Sequence, residues 1–122
     1  MPSVITEGRY TAEFLASEAN GARSREQVTL LTGQNLKAGA VLGKVTADGK
    51  YKEWNPGNVD GSETAVAVLY ANVDATDGDK RAVIIARDAE VNGNALEYFT
   101  GASAANKTAA ATQLAAVGII VR

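Results

Sequence analysis

Short β-prone runs separated by turn signals occupy the middle of this 122-residue chain. Asp48-Gly49 is a strong two-residue turn signal, and the segment 55–58, Asn-Pro-Gly-Asn, is another, because Pro fixes φ and Gly relaxes it. Runs this short fit strands better than helices. We therefore predict strands at residues 28–32, 41–46, 50–54, 65–70, 82–86 and 119–121, with 41–46 and 50–54 forming a hairpin and with 65–70 and 82–86 buried on both faces.

One helix is predicted late in the chain. Residues 104–117 are rich in alanine, and Leu114 and Val117 fall on one apolar stripe. Ser103 is a suitable N-cap, and Gly118 stands where a left-handed residue ends a helix. The chain is thus predicted to be a mainly β, small α+β domain with a C-terminal helix.

The core is expected to be thin and finely packed. Hydrophobic residues make up 46% of the chain, but many of them are alanine, and the aromatic residues are one Trp, four Tyr and two Phe. We interpret Trp54 as bulk for this core. In the alternative, Tyr51 and Trp54 form a sugar-binding platform, which would make the protein a sugar-binding or adhesion module.

Composition excludes several classes of function. A net charge of −2 without a cluster of Lys or Arg argues against nucleic-acid binding. No apolar run approaches the roughly 18 residues of a membrane span, and no basic segment followed by an apolar one opens the chain, so neither a membrane span nor a secretory signal is expected. The lack of cysteine fits folding in a reducing cytoplasm.

Catalytic and cofactor motifs are missing from the sequence. The chain has no histidine, which removes the commonest general base and the Ser-His arrangement, and no glycine-rich phosphate loop. We therefore expect no enzyme activity, no cofactor and no catalytic residues.

Asp74, Asp77 and Asp79 form the densest carboxylate cluster. Their spacing departs from that of a calcium loop, and Ile85 occupies the place of its closing Glu. We interpret residues 74–79 as a solvated loop whose Asp side chains cap turns, and expect no metal site. The alternative is a metal-assisted hydrolase built on this loop.

Asp60, Glu63, Asp88 and Glu90 could supply an acid–base pair. No pocket signature accompanies them, so we interpret them as surface charges and turn caps.

Five segments carry a family resemblance. They are FLASE (14–18), SREQVT (24–29), LKAGAVLG (36–43), RDAEV (87–91) and GIIVR (118–122), with DGSETA (60–65) and DAT (74–76) between the outer ones. In this order and at roughly these separations, the chain resembles the head decoration proteins of lambda-like tailed bacteriophages, from about residue 14 to residue 122.

The resemblance implies a β-clip or β-tulip fold and a structural role. It implies binding to the outer surface of the expanded phage head as trimers at threefold sites, where the protein bridges major capsid proteins against the pressure of packaged DNA. The implied partners are the major capsid protein and copies of the chain itself, after synthesis in the host cytoplasm.

The resemblance also bears on two local features. Asn92-Gly93 could close a hairpin, whereas the resemblance implies a short irregular or helical turn at 92–96 that carries Leu96 inward. Within SREQVT, Arg25 could hydrogen-bond a carboxylate or carbonyl near the N-terminal segment, or it could be a surface charge.

Residues 1–13 read as a flexible N-terminal arm, and residues 14–122 as one domain. The arm has too few apolar side chains to order itself. It can nevertheless extend and add as a strand to a capsid subunit. The predicted capsid-binding residues are Val4, Ile5, Thr6, Tyr10, Phe14 and Leu15.

Overall fold

The computed structural model describes residues 15–18 and 24–122. Their elements are β1 (Leu15–Glu18), β2 (Arg25–Leu30), β3 (Asn35–Leu36), β4 (Val41–Lys44), β5 (Tyr51–Glu53), β6 (Ala67–Leu69), β7 (Val73–Asp74), β8 (Lys80–Ile85), β9 (Ala89–Val91), a 3₁₀ turn (Gly93–Ala95), α1 (Ala104–Ala116) and β10 (Ile119–Val121). The predicted class, mainly β with one C-terminal helix, is confirmed. The predicted arm, residues 1–13, lies outside the described residues.

Five strands form a closed barrel in the order β2-β5-β4-β6-β8. β2 pairs with β8 in antiparallel fashion along its whole length, from Arg25 opposite Ile85 to Leu30 opposite Lys80. The barrel closes where β2 meets β5 in parallel at Leu30 and Tyr51, and the Leu31 N–H donates to the Tyr51 carbonyl at 2.8 Å. A closed barrel leaves no unpaired edge among its own strands. β3 and β7 form a separate two-stranded sheet.

The hairpin of β4 and β5 is confirmed. The Val45 N–H donates to the Lys50 carbonyl at 2.8 Å, and Gly49 adopts a φ of 72°. The Asp48 side chain accepts from the Lys50 N–H at 3.0 Å, so Asp48-Gly49 forms the hairpin turn that the sequence predicts.

The predicted strand positions are correct, but several bounds differ. β2 begins at Arg25 rather than at residue 28, and β8 begins at Lys80 rather than at residue 82. Both starts are polar and largely exposed. They join the ladder because β2 and β8 pair with each other, which a hydrophobic pattern does not reveal. The expected burial on both faces is confirmed for β6, whose three residues are all buried.

Two buried clusters divide the core. The first lies inside the barrel and includes Leu30, Leu42, Leu69 and Ile84. The second lies on the outer face of β4, β6 and β8, where Val41, Val68 and Ile85 stand side by side, and it continues through Trp54, Ala65, Leu96, Ala110, Leu114 and Ile119. Because side chains alternate between the two faces of a strand, neighbouring residues of β4 and β6 contribute to different clusters.

A three-stranded sheet, ordered β1-β9-β10, contributes to the second cluster. β9 is the central strand, with β1 antiparallel on one side and β10 parallel on the other. The predicted strand 119–121 is therefore confirmed as β10.

The helix and its caps are confirmed. The Ser103 hydroxyl accepts from the Asn106 N–H at 3.1 Å, and the Asn106 side chain accepts from the Ser103 N–H at 3.0 Å, which completes a capping box. Leu114 is fully buried and Val117 packs against the same cluster. Gly118 adopts a φ of 87° after the helix. In the described part of the chain, no helix is long and apolar enough to cross a membrane.

The segment 92–96 forms a turn and not a hairpin. The Asn92 side chain caps the 3₁₀ turn by accepting from the Asn94 N–H at 3.0 Å, and Leu96 is 5% exposed. The turn implied by the family resemblance is confirmed, and the hairpin reading is wrong because Asn92 caps a helical turn.

Substitution of Gly118 tests the helix end. Gly118→Val should lower the free energy of unfolding by about 1–3 kcal/mol, because a β-branched residue fits a positive φ poorly. A Cβ at Gly118 would also lie 3.1 Å from the Asp88 backbone nitrogen. Denaturant unfolding measures the change, with Ala115→Val at an exposed helix position as the control. Equal stability of the two variants would contradict the assigned conformation.

Candidate functional site

The first described strand, β1, follows the predicted arm in the sequence. β1 lies at one edge of the β1-β9-β10 sheet, and its register slips between Leu15 and Ser17. Such bulges are common at edges. Leu15 is half-buried and packs against the second cluster, so the start of β1 is anchored to the domain. The other predicted arm residues lie outside the described residues: Val4, Ile5, Thr6, Tyr10 and Phe14.

The opposite edge of this sheet presents an apolar side chain. Ile120 of β10 is 40% exposed, whereas its neighbour Ile119 is fully buried. Beside it, the Arg122 guanidinium lies 2.8 Å from the Glu90 carboxylate across the β9–β10 pair. This edge combines an apolar side chain with an exposed ion pair, as protein-binding surfaces often do.

Trp54 is fully buried. Its ring meets Phe99 edge-on at a centroid distance of 5.6 Å and Tyr98 at 6.5 Å. The indole N–H donates to the Glu63 carbonyl at 2.8 Å. The interpretation of Trp54 as core bulk is confirmed. Because Tyr51 is also buried, these two rings do not form a surface platform for sugars.

In the 74–79 loop, Asp74 and Asp79 bind the protein's own groups. Asp74 accepts from the Thr76 hydroxyl and N–H, and Asp79 accepts from the Thr32 N–H at 2.8 Å and lies 2.6 Å from the Lys50 ammonium. These contacts, from Thr76 to Asp74 and from Lys50 to Asp79, lower the pKa of each carboxyl. Asp74 caps its turn, as predicted. Within the described ranges, no three His, Cys, Asp or Glu side chains are grouped to hold a metal ion.

The four carboxylates considered as an acid–base pair lie in two separate parts of the structure. Asp60 accepts from the Ser62 hydroxyl and N–H, and Glu63 accepts from the Gly61 N–H at 2.8 Å, so both act as turn caps, as predicted. Glu90 belongs to β9 and is paired with Arg122, and Asp88 immediately precedes that strand with a φ of 53°.

Residues 55–63 form a loop with its own hydrogen bonds, called here the 55–63 loop. The Asn55 side chain accepts from the Gly57 N–H at 2.9 Å, and the Asn58 N–H donates to the Asn55 carbonyl at 3.0 Å. The Asn58 amide then donates to the Ser62 hydroxyl at 2.8 Å. The sequence indicates a turn here but not this network.

The 55–63 loop is fastened to β4 at close range. The Thr46 N–H donates to the Asp60 carbonyl at 2.9 Å. A Cβ on Gly43 would overlap the backbone of Ser62, so only glycine permits this approach. The loop is thereby held against the barrel along its second half.

Arg25 and Glu53 have surroundings that sequence reasoning does not foresee. The Arg25 guanidinium lies over the Tyr70 ring, 4.5 Å from its centroid. Burial raises the pKa of the Glu53 carboxyl, and the nearby Glu97 charge raises it further. Both effects depend on residues distant in sequence, so no local pattern marks them.

Comparison with known families identifies the chain. The family model described as bacteriophage lambda head decoration protein D matches residues 4–119. The chain belongs to this family. The resemblance inferred from the five segments is confirmed, and the match begins inside the predicted arm. Decoration proteins of this family are structural components on the outside of the phage head and are not enzymes. No curated protein matches the chain.

The hydrogen bonds that Ser62 donates to Asp60 predict how the stability of the protein changes at low pH. The hydrogen bonds from the Ser62 hydroxyl and N–H, with help from Lys52, lower the pKa of Asp60 to about 2. Because the pKa is lower in the folded state, the resulting stability is present above pH 4 and is lost as the pH falls toward about 2. Titration of the side-chain carboxyl carbon by NMR should show this midpoint.

The variant Asp60→Asn should therefore lose less stability than the wild type between pH 4 and pH 2. Asp77→Asn, with the same change of charge in an exposed loop, should follow the wild-type curve. An Asp60 midpoint at its ordinary value near 3.8 would contradict the role of Ser62.

Proposed function

We propose that this decoration protein binds the outer surface of the expanded phage head as trimers at threefold sites. There it bridges neighbouring major capsid proteins and stabilises the shell against the pressure of packaged DNA. The observation that carries the proposal is the family match over residues 4–119.

The build of the domain supports a mechanical role. A closed barrel is joined through Trp54 to the layer formed by α1 and the β1-β9-β10 sheet. A small domain that keeps its shape holds several contacts in fixed relation. Many modest contacts with capsid proteins then act together through multivalency, so neighbouring capsid subunits can separate only if several contacts break at once.

The charged groups also fit a structural role. Asp60, Asp74 and Asp79 each accept hydrogen bonds from backbone N–H groups of loops. Their carboxylate oxygens stabilise turns of the domain itself, as we expect in a structural protein.

The arm is proposed to supply part of the binding. We assign residues 1–13 to the arm and residues 14–122 to the decoration domain. Val4, Ile5 and Thr6 extend along the exposed sheet edge of a capsid subunit, and backbone pairing supplies the affinity. Tyr10, Phe14 and Leu15 continue the contact toward the domain. The start of the family match at residue 4 and the position of β1 at a sheet edge support this arrangement.

Mixing purified protein with undecorated expanded heads tests the function. The heads come from the phage that encodes the chain. Electron cryomicroscopy should show added density at the threefold positions, and decorated heads should retain their DNA to a higher temperature than bare heads. Heads without added density would refute the proposed function.

Deletion of residues 2–13 tests the arm. The truncated domain should melt within about 2 °C of the full-length protein, because the arm adds little to the buried core. Its binding to expanded heads should fall at least about tenfold. Calorimetry and a head-pelleting assay measure the two effects.

Point variants separate the apolar contact from arm length. Val4→Asp with Ile5→Asp should reproduce most of the binding loss, whereas Glu7→Ala with Arg9→Ala should bind nearly as the wild type. Full decoration by the truncated domain would mean that the folded surface alone carries the contact.

Self-association in solution should be weak. Stable oligomers usually bury a larger apolar interface than this alanine-rich chain supplies. Sedimentation at micromolar concentration should therefore show monomer or a mobile equilibrium, with full trimers only on heads. A trimer that persists on dilution to nanomolar concentration would contradict this prediction.

A further inference from the structure

Val59 stands at the tip of the 55–63 loop and is 95% exposed. Isolated exposed apolar residues are common and need no explanation by themselves. Val59 differs because its loop is held by internal hydrogen bonds and is fastened to β4. The fold therefore keeps an apolar side chain pointing into solvent.

The two ends of the loop are also tied together. The loop begins directly after Trp54 and ends at Glu63, and the Trp54 indole N–H donates to the Glu63 carbonyl. A loop held at its base and along its side loses little conformational entropy on binding. Val59 is thus a preorganised knob.

A complementary groove lies elsewhere on the same domain. It is lined by Gln27, Tyr70, Ala71, Val73, Arg81, Ala82 and Val83, and has a volume of about 440 Å³. We call it the Tyr70 groove. Tyr70, Ala71, Val73 and Val83 are half-buried and give it an apolar floor. The volume is ample for a valine side chain and its flanking backbone.

The 55–63 loop and the groove differ in their charged groups. The loop carries the carboxylates of Asp60 and Glu63, of which Asp60 is paired with Lys52 at 3.3 Å. The groove is lined by Arg81 and by no acid, and Arg25 stacks on the Tyr70 ring. When the knob enters the groove, these guanidinium groups face a loop that carries the Glu63 carboxylate and the Asp60–Lys52 pair.

The knob and the groove lie on different parts of the barrel. The loop packs against β4, whereas the groove is lined by residues of β2 and β8 and by residues 70–73, which follow β6. Neither β2 nor β8 neighbours β4 in the barrel. A contact between them is heterologous, so that each copy offers its knob to one neighbour and its groove to another. Heterologous contacts close into rings when the rotation allows.

We propose that Val59 of one copy inserts into the Tyr70 groove of the next copy and that three such contacts close the trimer. This inference rests on the proposed function in one respect, the assembly of three copies on the head. It adds the surfaces that join them, with a second copy of this chain as the occupant of the groove.

Engineered cysteines test the contact directly, because the natural chain has no cysteine. A protein carrying both Val59→Cys and Ala71→Cys is bound to expanded heads and oxidised mildly. Disulfides form only when Cβ atoms approach within about 4.5 Å. Non-reducing electrophoresis should show a covalent trimer, and each single-cysteine variant should stay monomeric.

Two cross-linking results would overturn the proposal. One is a double variant that decorates heads but remains monomeric after oxidation. The other is efficient dimer formation by Val59→Cys alone, which would mean that the knobs of two copies meet each other.

A charge variant provides a second measurement. Val59→Asp should melt like the wild type, since Val59 is almost fully exposed, but its trimer should be weakened at least about tenfold. The loss is measured in two ways. Sedimentation near millimolar concentration gives the trimer population in solution, and titration of heads gives the protein concentration at which half of their sites are filled. Ala105→Asp, with the same charge change at an exposed helix position, should behave as the wild type. If Val59→Asp and the wild type half-saturate heads at the same concentration, the proposed role of Val59 in the trimer contact is wrong.

The two proposals fail in different ways. If the wild-type protein leaves heads undecorated, the proposed function is wrong. If the wild type decorates heads and the cysteine pair does not cross-link there, the function stands and the knob-and-groove contact is wrong.

Discussion

The indole of Trp54 lies where three parts of the molecule meet. It belongs to the buried cluster that joins the outer face of the barrel to α1, and the rings of Tyr98 and Phe99 pack against it edge-on. Its N–H group also closes the 55–63 loop at Glu63. Among the fully buried side chains of the described residues, Trp54 is the largest. Trp54 therefore contributes both to the cluster that packs α1 and to the closure of the 55–63 loop.

The features that the sequence predicted correctly are those with local causes. Asp48-Gly49 turns the β4–β5 hairpin because an Asp side chain and a glycine suffice for it. Ser103 and Gly118 end the helix through contacts with residues only a few positions away. The burial of Trp54 was predicted as well, because a thin core needs its bulk.

The features that the sequence did not predict depend on distant pairings. Closure of the barrel rests on Leu30 beside Tyr51, two residues with no common motif. The polar start of β2 becomes a strand only because β8 lies next to it. The close approach of Ser62 to β4 depends on Gly43, which has no Cβ to block it. The proposed arm residues Val4, Ile5, Thr6, Tyr10 and Phe14 lie outside the described part of the chain, so only Leu15 has an observed position.

The row formed by Val41, Val68 and Ile85 has a consequence for biosynthesis. These side chains lie on the outer face of the barrel, and α1 and β10, which cover them, come later in the chain. During translation, the barrel strands emerge first, with this apolar row uncovered. An exposed apolar face on a partly folded chain promotes aggregation. Rapid helix formation after the barrel would shorten this exposure, and the alanine-rich composition of α1 favours it.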